Sequence, residues 1–327
     1  MSTKLPGSST QQASADGRFH RQDASFRDTI SKGGRFEPEK GRYHLIVAEA
    51  CPWAHRVMLV RLLKKMDTVP DLLPVTIVDS FLSPEGWCVG SREVDRPFVK
   101  GTGNHIPGHE NKMFLREFYL EADPSYQKRP TVPVIWDNKL NTIVNNESSE
   151  IIRFLDTAFD EFLPNDVRGI TYYPKELRSE IDEFHSWVYP YINNGVYRSG
   201  FATTPEAYEE AVVPLFEALE RVDKLIGDKK FIFGDRLTEA DIRLFTTIVR
   251  FDPVYYGHFK CNIQQIRGGH YPHLHRWLRT LYWTIPAFKD TTNFESIKAH
   301  YYSSHTQINP TSIVPIGPIP PIEPLDS

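Results

Sequence analysis

Residues Tyr43-His-Leu-Ile-Val-Ala-Glu49, followed by Cys51-Pro52-Trp53-Ala54, carry the most informative signal for the architecture of this chain. The apolar run predicts a buried strand, and the residues from His55 to Lys65 predict a helix. Cys51 therefore lies at a strand-to-helix turn, with Pro52 at the first helical position, where proline is favoured. The first-turn amides and the positive end of the helix dipole favour an anion there, and the thiolate is the nucleophilic form of cysteine. The pattern thus predicts a reactive thiol at Cys51.

Ala54 occupies the position where a C-x-x-C redox motif would carry its second cysteine. Cys51 therefore has no local partner for an intramolecular disulfide, and it is expected to exchange with an external thiol. The abundant external thiol of cytosol is glutathione. The alternative is that Cys51 is a small core residue at a strand end, since free cysteine is often buried. The upstream strand and Pro52 favour the reactive turn.

The composition is that of an ordinary soluble protein, and 327 residues suffice for two domains. The net charge of −4 is interspersed, with no basic stripe for nucleic acid and no apolar run long enough for a membrane. The leader from Met1 to Gly17 is polar and is expected to be disordered. Three cysteines, Cys51, Cys88 and Cys261, are odd in number and far apart, which favours a reducing compartment. We therefore expect a cytoplasmic protein.

The first half of the chain alternates strand and helix signals in the order β-α-β-α-β-β-α. Predicted strands are Tyr43–Glu49, Val75–Asp79, Thr131–Trp136 and Asn141–Val144, and predicted helices are His55–Lys65, Met113–Ala122 and Glu147–Ala158. Residues 81–112 form a segment too long for a plain connection, which indicates a functional loop over a site. Its glycines do not match the G-x-G-x-x-G pattern, so a dinucleotide site is rejected.

The second half shows helical periodicity and no strand signals. Predicted helices are Lys175–Asn193, Pro205–Leu225, Glu239–Phe251 and His273–Tyr282. Thr238 and Asp241 form a capping-box variant that fixes the start of the third helix, a structural role. The tail from Asn309 to Ser327 carries six prolines. It is expected to be an extended strap over the domain or a partner, or disordered.

Several blocks of sequence carry a family resemblance. They are Cys-Pro-Trp-Ala-His-Arg at 51–56, Glu-Gly-Trp at 85–87, Asn-Asn-Glu-Ser at 145–148, Asn-Gly-Val-Tyr-Arg-Ser-Gly-Phe at 194–201, Tyr-Tyr-Gly-His-Phe-Lys-Cys-Asn at 255–262, and His-Tyr-Tyr with Ile-Asn-Pro-Thr within 300–311. The chain resembles cytosolic glutathione transferases and, within them, the glutathionyl-hydroquinone reductases of the Xi class. The resemblance implies an α/β thioredoxin-like N-terminal domain followed by an all-α C-terminal domain. The expected limits are 1–35 for a partly disordered N-terminal extension, 36–165 for the thioredoxin-like domain, 166–296 for the helical domain, and 297–327 for a Pro-rich C-terminal extension.

The resemblance also implies a set of site residues. Cys51 would be the nucleophile, and glutathione would be held by Trp87, Arg129, Pro130, Thr131, Val132, Glu147 and Ser148. The chemistry fits, because a Val132-Pro133 edge, with a cis bond expected, offers backbone hydrogen bonds, Glu147 can pair with the ammonium, and Ser148 at a helix start can receive a carboxylate. The alternative for Glu147 and Ser148 is plain helix capping, with Asn146 as the cap.

The resemblance further implies that Tyr197 exchanges a proton with the quinol and that Tyr255 and Tyr301 lower the pKa of the nucleophile. A phenol that donates to a thiolate favours the anion. The alternative is that these tyrosines only pack, and Tyr302 could replace Tyr301. No metal is expected: His270, His273 and His275 lack a cysteine or carboxylate at ligand spacing. Cys88 could resolve a disulfide, although the resemblance implies a second glutathione for that step, and Cys261 is interpreted as a core residue.

The implied activity is glutathione-dependent reduction of S-glutathionyl-hydroquinones to hydroquinones. It would proceed through a Cys51–glutathione mixed disulfide and release oxidised glutathione. One rival is an omega-like thiol transferase or dehydroascorbate reductase, and another is a non-catalytic binder of aromatic ligands. Glutathione would be a co-substrate, and neither nucleic acid nor membrane is an expected partner. The fold-level analogy implies a homodimer.

Overall fold

The computed structural model describes residues 13–89 and 106–325. The chain divides into two compact units. Within the described residues, the first unit comprises 23–89, 106–170 and Thr291–Ser304, and the second comprises 13–22, Thr171–Asp290 and 305–325. Each unit therefore combines stretches that are distant in sequence. The sequence analysis had assigned residues 291–304 to the helical domain and the C-terminal extension.

A four-stranded mixed sheet forms the centre of the first unit. Its strands are β1 (Tyr43–Val47), β2 (Val75–Ile77), β3 (Val134–Asp137) and β4 (Thr142–Asn145), in the spatial order β2-β1-β3-β4. β1 pairs with β2 in parallel and with β3 antiparallel, and β3 pairs antiparallel with β4. All five residues of β1 are buried, as its unbroken apolar run predicts. The predicted strands are confirmed, with limits that differ by a few residues.

The described part of the first unit contains four α-helices. They are α1 (Pro52–Leu63), α2 (Leu115–Ala122), α3 (Ser148–Leu155) and, from the far end of the chain, α11 (Phe294–Ser304). The sequence predicted the first three. The prediction missed α11, whose second half, His300 to Ser304, consists of weak helix formers. Of the predicted functional loop at 81–112, residues 90–105 lie outside the described residues.

The second unit is helical, and its described residues contain no strand. Its helices are α4 (Arg178–Val188), α5 (Gly195–Gly200), α6 (Pro205–Ile226), α7 (Glu239–Ile248), α8 (Tyr256–His258), α9 (Pro272–Thr284) and α10 (Pro286–Asp290). Two π-helical turns lie at Tyr189–Asn193 and Phe251–Tyr255. The prediction missed α5, α8 and α10, which are too short to show periodicity. The capping box at the start of α7 is confirmed.

The N-terminal leader is ordered where the structure describes it. The N–H of Thr203 donates to the Gly17 carbonyl at 3.1 Å, and Arg18 forms an ion pair with Glu210 at 2.7 Å. Gly17 has a φ of +79°, and a Cβ there would lie 2.7 Å from Thr204 Cγ2. The prediction of disorder is therefore wrong for residues 13–17, because this glycine allows the leader to approach the second unit. Residues 1–12 lie outside the described residues.

The proline-rich tail is an extended strap on the second unit. Arg267 donates to the Pro321 carbonyl at 2.6 Å, and the Trp283 indole N–H donates to the Glu323 carbonyl at 2.9 Å. Ile322 between them is 5% exposed, so it adds an apolar anchor. These contacts select the strap over the domain among the predicted alternatives for these residues.

None of the helices in the described ranges is long and apolar enough to cross a membrane.

Candidate active site

Cys51 is the residue directly before α1, with extended backbone angles of φ −76° and ψ 120°. Pro52 is the first helical residue, as the sequence predicted, and the His55 N–H donates to the Cys51 carbonyl at 3.0 Å. The Cys51 thiol is part-exposed, and its Sγ donates to the Val132 carbonyl at 3.6 Å. The thiol therefore lies at the positive end of a helix dipole and in contact with the loop before β3.

The other two cysteines are much less accessible. Cys88 is 2% exposed and Cys261 is 0% exposed. Burial raises the pKa of the Cys261 thiol, which disfavours its nucleophilic thiolate form. This environment agrees with the interpretation of Cys261 as a core residue. Accessibility thus distinguishes Cys51 among the three thiols.

Two tyrosine hydroxyls hold the loop from Arg129 to Pro133: that of Tyr126 donates to the Arg129 carbonyl at 3.1 Å, and that of Tyr119 contacts Thr131. The Tyr119 hydroxyl donates to the Thr131 carbonyl at 2.7 Å and accepts from the Thr131 N–H at 3.2 Å. The Asn146 amide donates to the same hydroxyl at 3.0 Å and to Thr131 Oγ1 at 3.3 Å. The backbone of Thr131 is therefore already paired. Val132, whose carbonyl meets Cys51 and whose bond to Pro133 is cis as expected, is the loop residue next to the thiol.

Glu147 precedes α3 and caps it. Its carboxylate accepts from the Ser149 N–H at 3.0 Å and from the Ser149 hydroxyl at 2.8 Å. The alternative that Asn146 caps this helix is wrong, because its side chain donates to the Tyr119 hydroxyl and accepts from the Phe26 N–H instead. A carboxylate held at this position remains compatible with an ammonium partner.

Ser148, the first residue of α3, is 2% exposed. Its hydroxyl accepts from the Arg56 guanidinium at 3.4 Å. Arg56 lies on α1, is 1% exposed, and its guanidinium is 4.5 Å from the centroid of the Trp53 ring. A buried cation next to a helix N-terminus favours an anionic ligand there. The sequence analysis assigned no role to Arg56, although a charged residue ahead of Val57 to Val60 in an apolar helix was a visible signal.

Trp87 is buried at 8% exposure and stacks on His300 of α11, with ring centroids 5.0 Å apart. The Nδ1 of His300 lies 2.9 Å from the Ser80 carbonyl oxygen. Since a carbonyl only accepts, Nδ1 carries the hydrogen and donates. His300 thus ties α11 to the segment that carries Trp87. The family resemblance includes both Trp87 and His300, but nothing in the sequence indicated that the two residues are in contact.

The segment leading into α11 also contacts the residues that flank Cys51. His55 Nε2 lies 2.8 Å from Thr291 Oγ1, and the Asn293 amide donates to the Glu49 carboxylate at 2.7 Å. Burial raises the pKa of Glu49, and the hydrogen bonds from Asn293 and Ser296 oppose that rise. Tyr301 and Tyr302, at 1% and 9% exposure, are therefore carried by the same unit as Cys51.

The other two candidate tyrosines belong to the second unit. Tyr197 is on α5, and Tyr255 is the last residue of a π-helical turn, an irregularity often found at functional sites. Their ring centroids are 6.1 Å apart. Phe259 packs on both, at 5.4 Å from Tyr197 and 5.5 Å from Tyr255. The structure thus brings these two tyrosines together in one aromatic cluster.

Metal ligands do not gather in the described ranges. No group of three or more histidine, cysteine, aspartate or glutamate residues there could hold a metal ion. Of the three neighbouring histidines, His275 lies 3.1 Å from the Glu323 carboxylate in the C-terminal strap, and His270 lies 3.7 Å from Glu220. These two contacts link secondary-structure elements of the second unit.

Two family descriptions match the sequence. Residues 50–158 match "Glutathione S-transferase, N-terminal domain", and residues 205–280 match "Glutathione S-transferase, C-terminal domain". Among curated proteins, the glutathione S-transferase omega-like 2 of Schizosaccharomyces pombe is 51% identical, over 96% of this chain and 97% of its own length. The glutathionyl-hydroquinone reductase PcpF of Sphingobium chlorophenolicum is 46% identical, over 94% of this chain and 92% of its own.

Solved structures agree with these sequence matches. The glutathione S-transferase Xi of Phanerochaete chrysosporium superposes with a TM-score of 0.91 at 53% identity, covering 98% of this chain and 99% of its own. The Xi glutathione transferase ECM4 of Saccharomyces cerevisiae, in complex with glutathione, superposes with a TM-score of 0.85 at 44% identity, covering 93% and 100%. The thioredoxin-like sheet, the helical unit and these matches together place the chain in the glutathione S-transferase family, within its Xi class.

Proposed function

We propose that this protein reduces S-glutathionyl-hydroquinones to hydroquinones at the expense of glutathione. The observation that carries the proposal is the part-exposed Cys51 thiol at the start of α1, 3.6 Å from the Val132 carbonyl. A thiol in this position suits nucleophilic attack on sulfur. The names of relatives such as PcpF support the choice of substrate.

Glutathione is an extended peptide with two carboxylates and one ammonium, and the first unit offers partners for its cysteinyl backbone, its ammonium and one of its carboxylates. Val132 beside the thiol would receive the cysteinyl unit through its backbone. Glu147 would pair with the ammonium, while Ser148, at the start of α3 and backed by Arg56, would receive the γ-glutamyl carboxylate. Trp87, Arg129, Pro130 and Thr131 would complete the surroundings. Support for glutathione as the ligand comes from its presence in the ECM4 complex.

In the first step, the Cys51 thiolate attacks the glutathionyl sulfur of the substrate. A sulfur–sulfur bond forms, the bond from sulfur to the ring carbon breaks, and its electron pair stays on the carbon. Tyr197 supplies the proton that this carbon takes, so the hydroquinone leaves. In the second step, a glutathione thiolate attacks the mixed disulfide and releases oxidised glutathione and the Cys51 thiolate. Two glutathione sulfurs are oxidised, and one ring carbon is reduced.

The proposed roles of Tyr255 and Tyr301 concern the thiolate. Hydrogen bonds donated by phenols stabilise an anion and lower its pKa. Both rings are buried, with Tyr255 at 0% and Tyr301 at 1% exposure, so any polar contact they make is weakly screened by solvent. Tyr302 is the alternative to Tyr301.

The test of this function is to incubate the protein with an S-glutathionyl-hydroquinone and glutathione and to quantify free hydroquinone and oxidised glutathione. We expect equal amounts of the two products and ping-pong kinetics. The omega-like name of the Schizosaccharomyces pombe relative favours a second candidate, a thiol transferase or dehydroascorbate reductase. Turnover of dehydroascorbate without turnover of the glutathionyl-hydroquinone would select this second candidate and reject the first.

We also propose that the protein is cytoplasmic and a homodimer, the first from its cysteine usage and the second by analogy with its fold. Sedimentation at micromolar concentration tests the dimer, and a monomer there would contradict it. The proposed substrates need neither a metal nor a membrane.

Replacing Tyr119 by phenylalanine should weaken glutathione binding. The hydroxyl makes both backbone bonds of Thr131 and one bond with Asn146, and its loss frees the loop that carries Val132. Breaking a buried hydrogen-bond network of this kind costs roughly 1–3 kcal/mol, which corresponds to a change in affinity of about 5- to 140-fold. We expect the KM for glutathione to rise about tenfold, while kcat at saturating glutathione changes little.

The matched control is Tyr43→Phe. The Tyr43 hydroxyl is also buried and donates to the Glu37 carbonyl at 2.6 Å, but its bond is made away from the loop. It should leave the KM for glutathione unchanged. If both variants raise KM equally, or if Tyr119→Phe lowers kcat and leaves KM alone, the positioning role of Tyr119 is refuted.

A further inference from the structure

The N-terminal segment of the second unit places a cation on Tyr197. The Arg21 guanidinium carbon is 4.7 Å from the centroid of the Tyr197 ring and 5.5 Å from that of Phe19. Phe19 itself packs on Tyr197 at 6.3 Å and on Phe201 at 5.4 Å. The sequence analysis treated this part of the chain as an extension and assigned no role to Arg21.

Asn194 fixes the position of the guanidinium. Its side-chain oxygen accepts from Arg21 Nε at 2.8 Å, and its backbone carbonyl accepts from the Tyr197 N–H at 3.1 Å. One residue therefore holds both partners of the cation–ring contact. One further contact attaches the same segment to the rest of the second unit: the Thr203 N–H donates to the Gly17 carbonyl at 3.1 Å. Arg21 thus has a defined place above the ring.

Because Tyr197 is buried, the charge of Arg21 interacts strongly with its ring. The ring is 5% exposed, so water screens the contact weakly. Among the side chains that pack on the ring in the described contacts, Arg21 is charged and Tyr255 has a titratable hydroxyl. The others are neither charged nor titratable: Phe19, Phe201 and Phe259. A cation over an aromatic face is attracted to the neutral ring, and it is attracted more strongly to the phenolate.

We propose that Arg21 is a positioning residue that acts through Tyr197, stabilising the phenolate that remains when Tyr197 gives its proton to the quinol carbon. The inference rests on the proposed function and deepens it. The Arg21 cation makes Tyr197 a stronger acid during the first step. It does not affect the second step, which is an ordinary thiol exchange. The proton is then returned to Tyr197 from solvent or from the second glutathione thiol.

The test compares Arg21→Met, Arg21→Lys and wild type in single-turnover measurements of hydroquinone release and, separately, of resolution of the preformed Cys51–glutathione disulfide. Cation–π contacts are worth about 0.5–2 kcal/mol, so Arg21→Met should slow release roughly 2- to 30-fold. Resolution should keep its wild-type rate. The alkaline limb of the pH profile for release should move to higher pH, because the phenol that must stay protonated has lost a cation that favoured its anion.

Arg21→Lys keeps a cation and should retain most of the wild-type rate. The control on the same segment is Arg18→Met, whose ion pair with Glu210 is exposed, and this variant should behave as wild type. If Arg21→Met fails to fold, Asn194→Asp provides the test. A carboxylate beside the guanidinium partly cancels its charge, so the alkaline limb should again move to higher pH, but by less. An unmoved limb, or equal slowing of both steps, overturns the inference. Absence of hydroquinone release in wild type would instead reject the proposed function.

Discussion

Replacing Cys51 by serine should reduce hydroquinone formation to the level of the reaction without enzyme. A hydroxyl does not ionise at neutral pH, so the variant lacks the nucleophile of the first step. Loss of a nucleophile can cost on the order of 10⁶ in kcat. Serine is close to cysteine in size and can also donate to the Val132 carbonyl, so the turn before α1 should keep its shape. Glutathione affinity, measured by calorimetry, should therefore change little.

Intact-mass analysis identifies the reacting thiol. Wild type treated with substrate and no second thiol should gain one glutathione on Cys51, and the serine variant should gain none. Cys88→Ser and Cys261→Ser are the matched controls, because both thiols are buried and should not react. An adduct on Cys88 or Cys261, or full activity in the Cys51 variant, would refute the assignment of the nucleophile.

Replacing Tyr197 by phenylalanine should slow hydroquinone release by about 10² to 10⁴, the usual loss when a positioned proton donor is removed. Expulsion of carbon needs a proton at the ring, whereas resolution of the Cys51–glutathione disulfide is thiol exchange and needs none at that carbon. The phenylalanine ring can keep the contacts with Phe259 and Tyr255, so the aromatic cluster should persist. Single-turnover measurements separate the two steps.

Tyr208→Phe is the comparison for this prediction. Its hydroxyl donates to the Lys260 carbonyl at 2.6 Å, so the variant also removes a tyrosine hydroxyl from the second unit, but one that is engaged in a backbone contact. Both steps should keep their rates in this variant. Equal slowing of the two steps in Tyr197→Phe would mean that Tyr197 only shapes its surroundings, and the proton would have to come from Tyr255 or Tyr301.

The reactive turn was predictable because its signals are local. An apolar run, a cysteine and a proline at the first helical position lie within twelve residues, and the structure has the strand, the turn and the helix that they indicate. The capping box of Thr238 and Asp241 was predictable for the same reason. Hydrogen bonds and dihedral preferences between near neighbours act in almost any tertiary context.

Helix capping at α3 shows where local signals fail. One alternative from the sequence was plain capping of this helix by Asn146, since asparagine is a strong capping residue. In the structure the Asn146 amide donates to the hydroxyl of Tyr119, which is 27 positions earlier in the chain. The Glu147 carboxylate caps the helix instead. The residue with the stronger local preference for capping is therefore drawn away by a partner that only folding brings near.

Local signals were enough to predict the order of strands and helices in the first half, the helical second half and the turn that presents Cys51. Four other features depend on the folded chain: α11 joins the first unit, Trp87 stacks on His300, Arg56 donates to Ser148, and Arg21 lies over Tyr197. His300 is 213 positions from Trp87 and Arg21 is 176 from Tyr197. Contacts at such separations follow from how whole elements bury their apolar faces, and no periodicity within a segment encodes them.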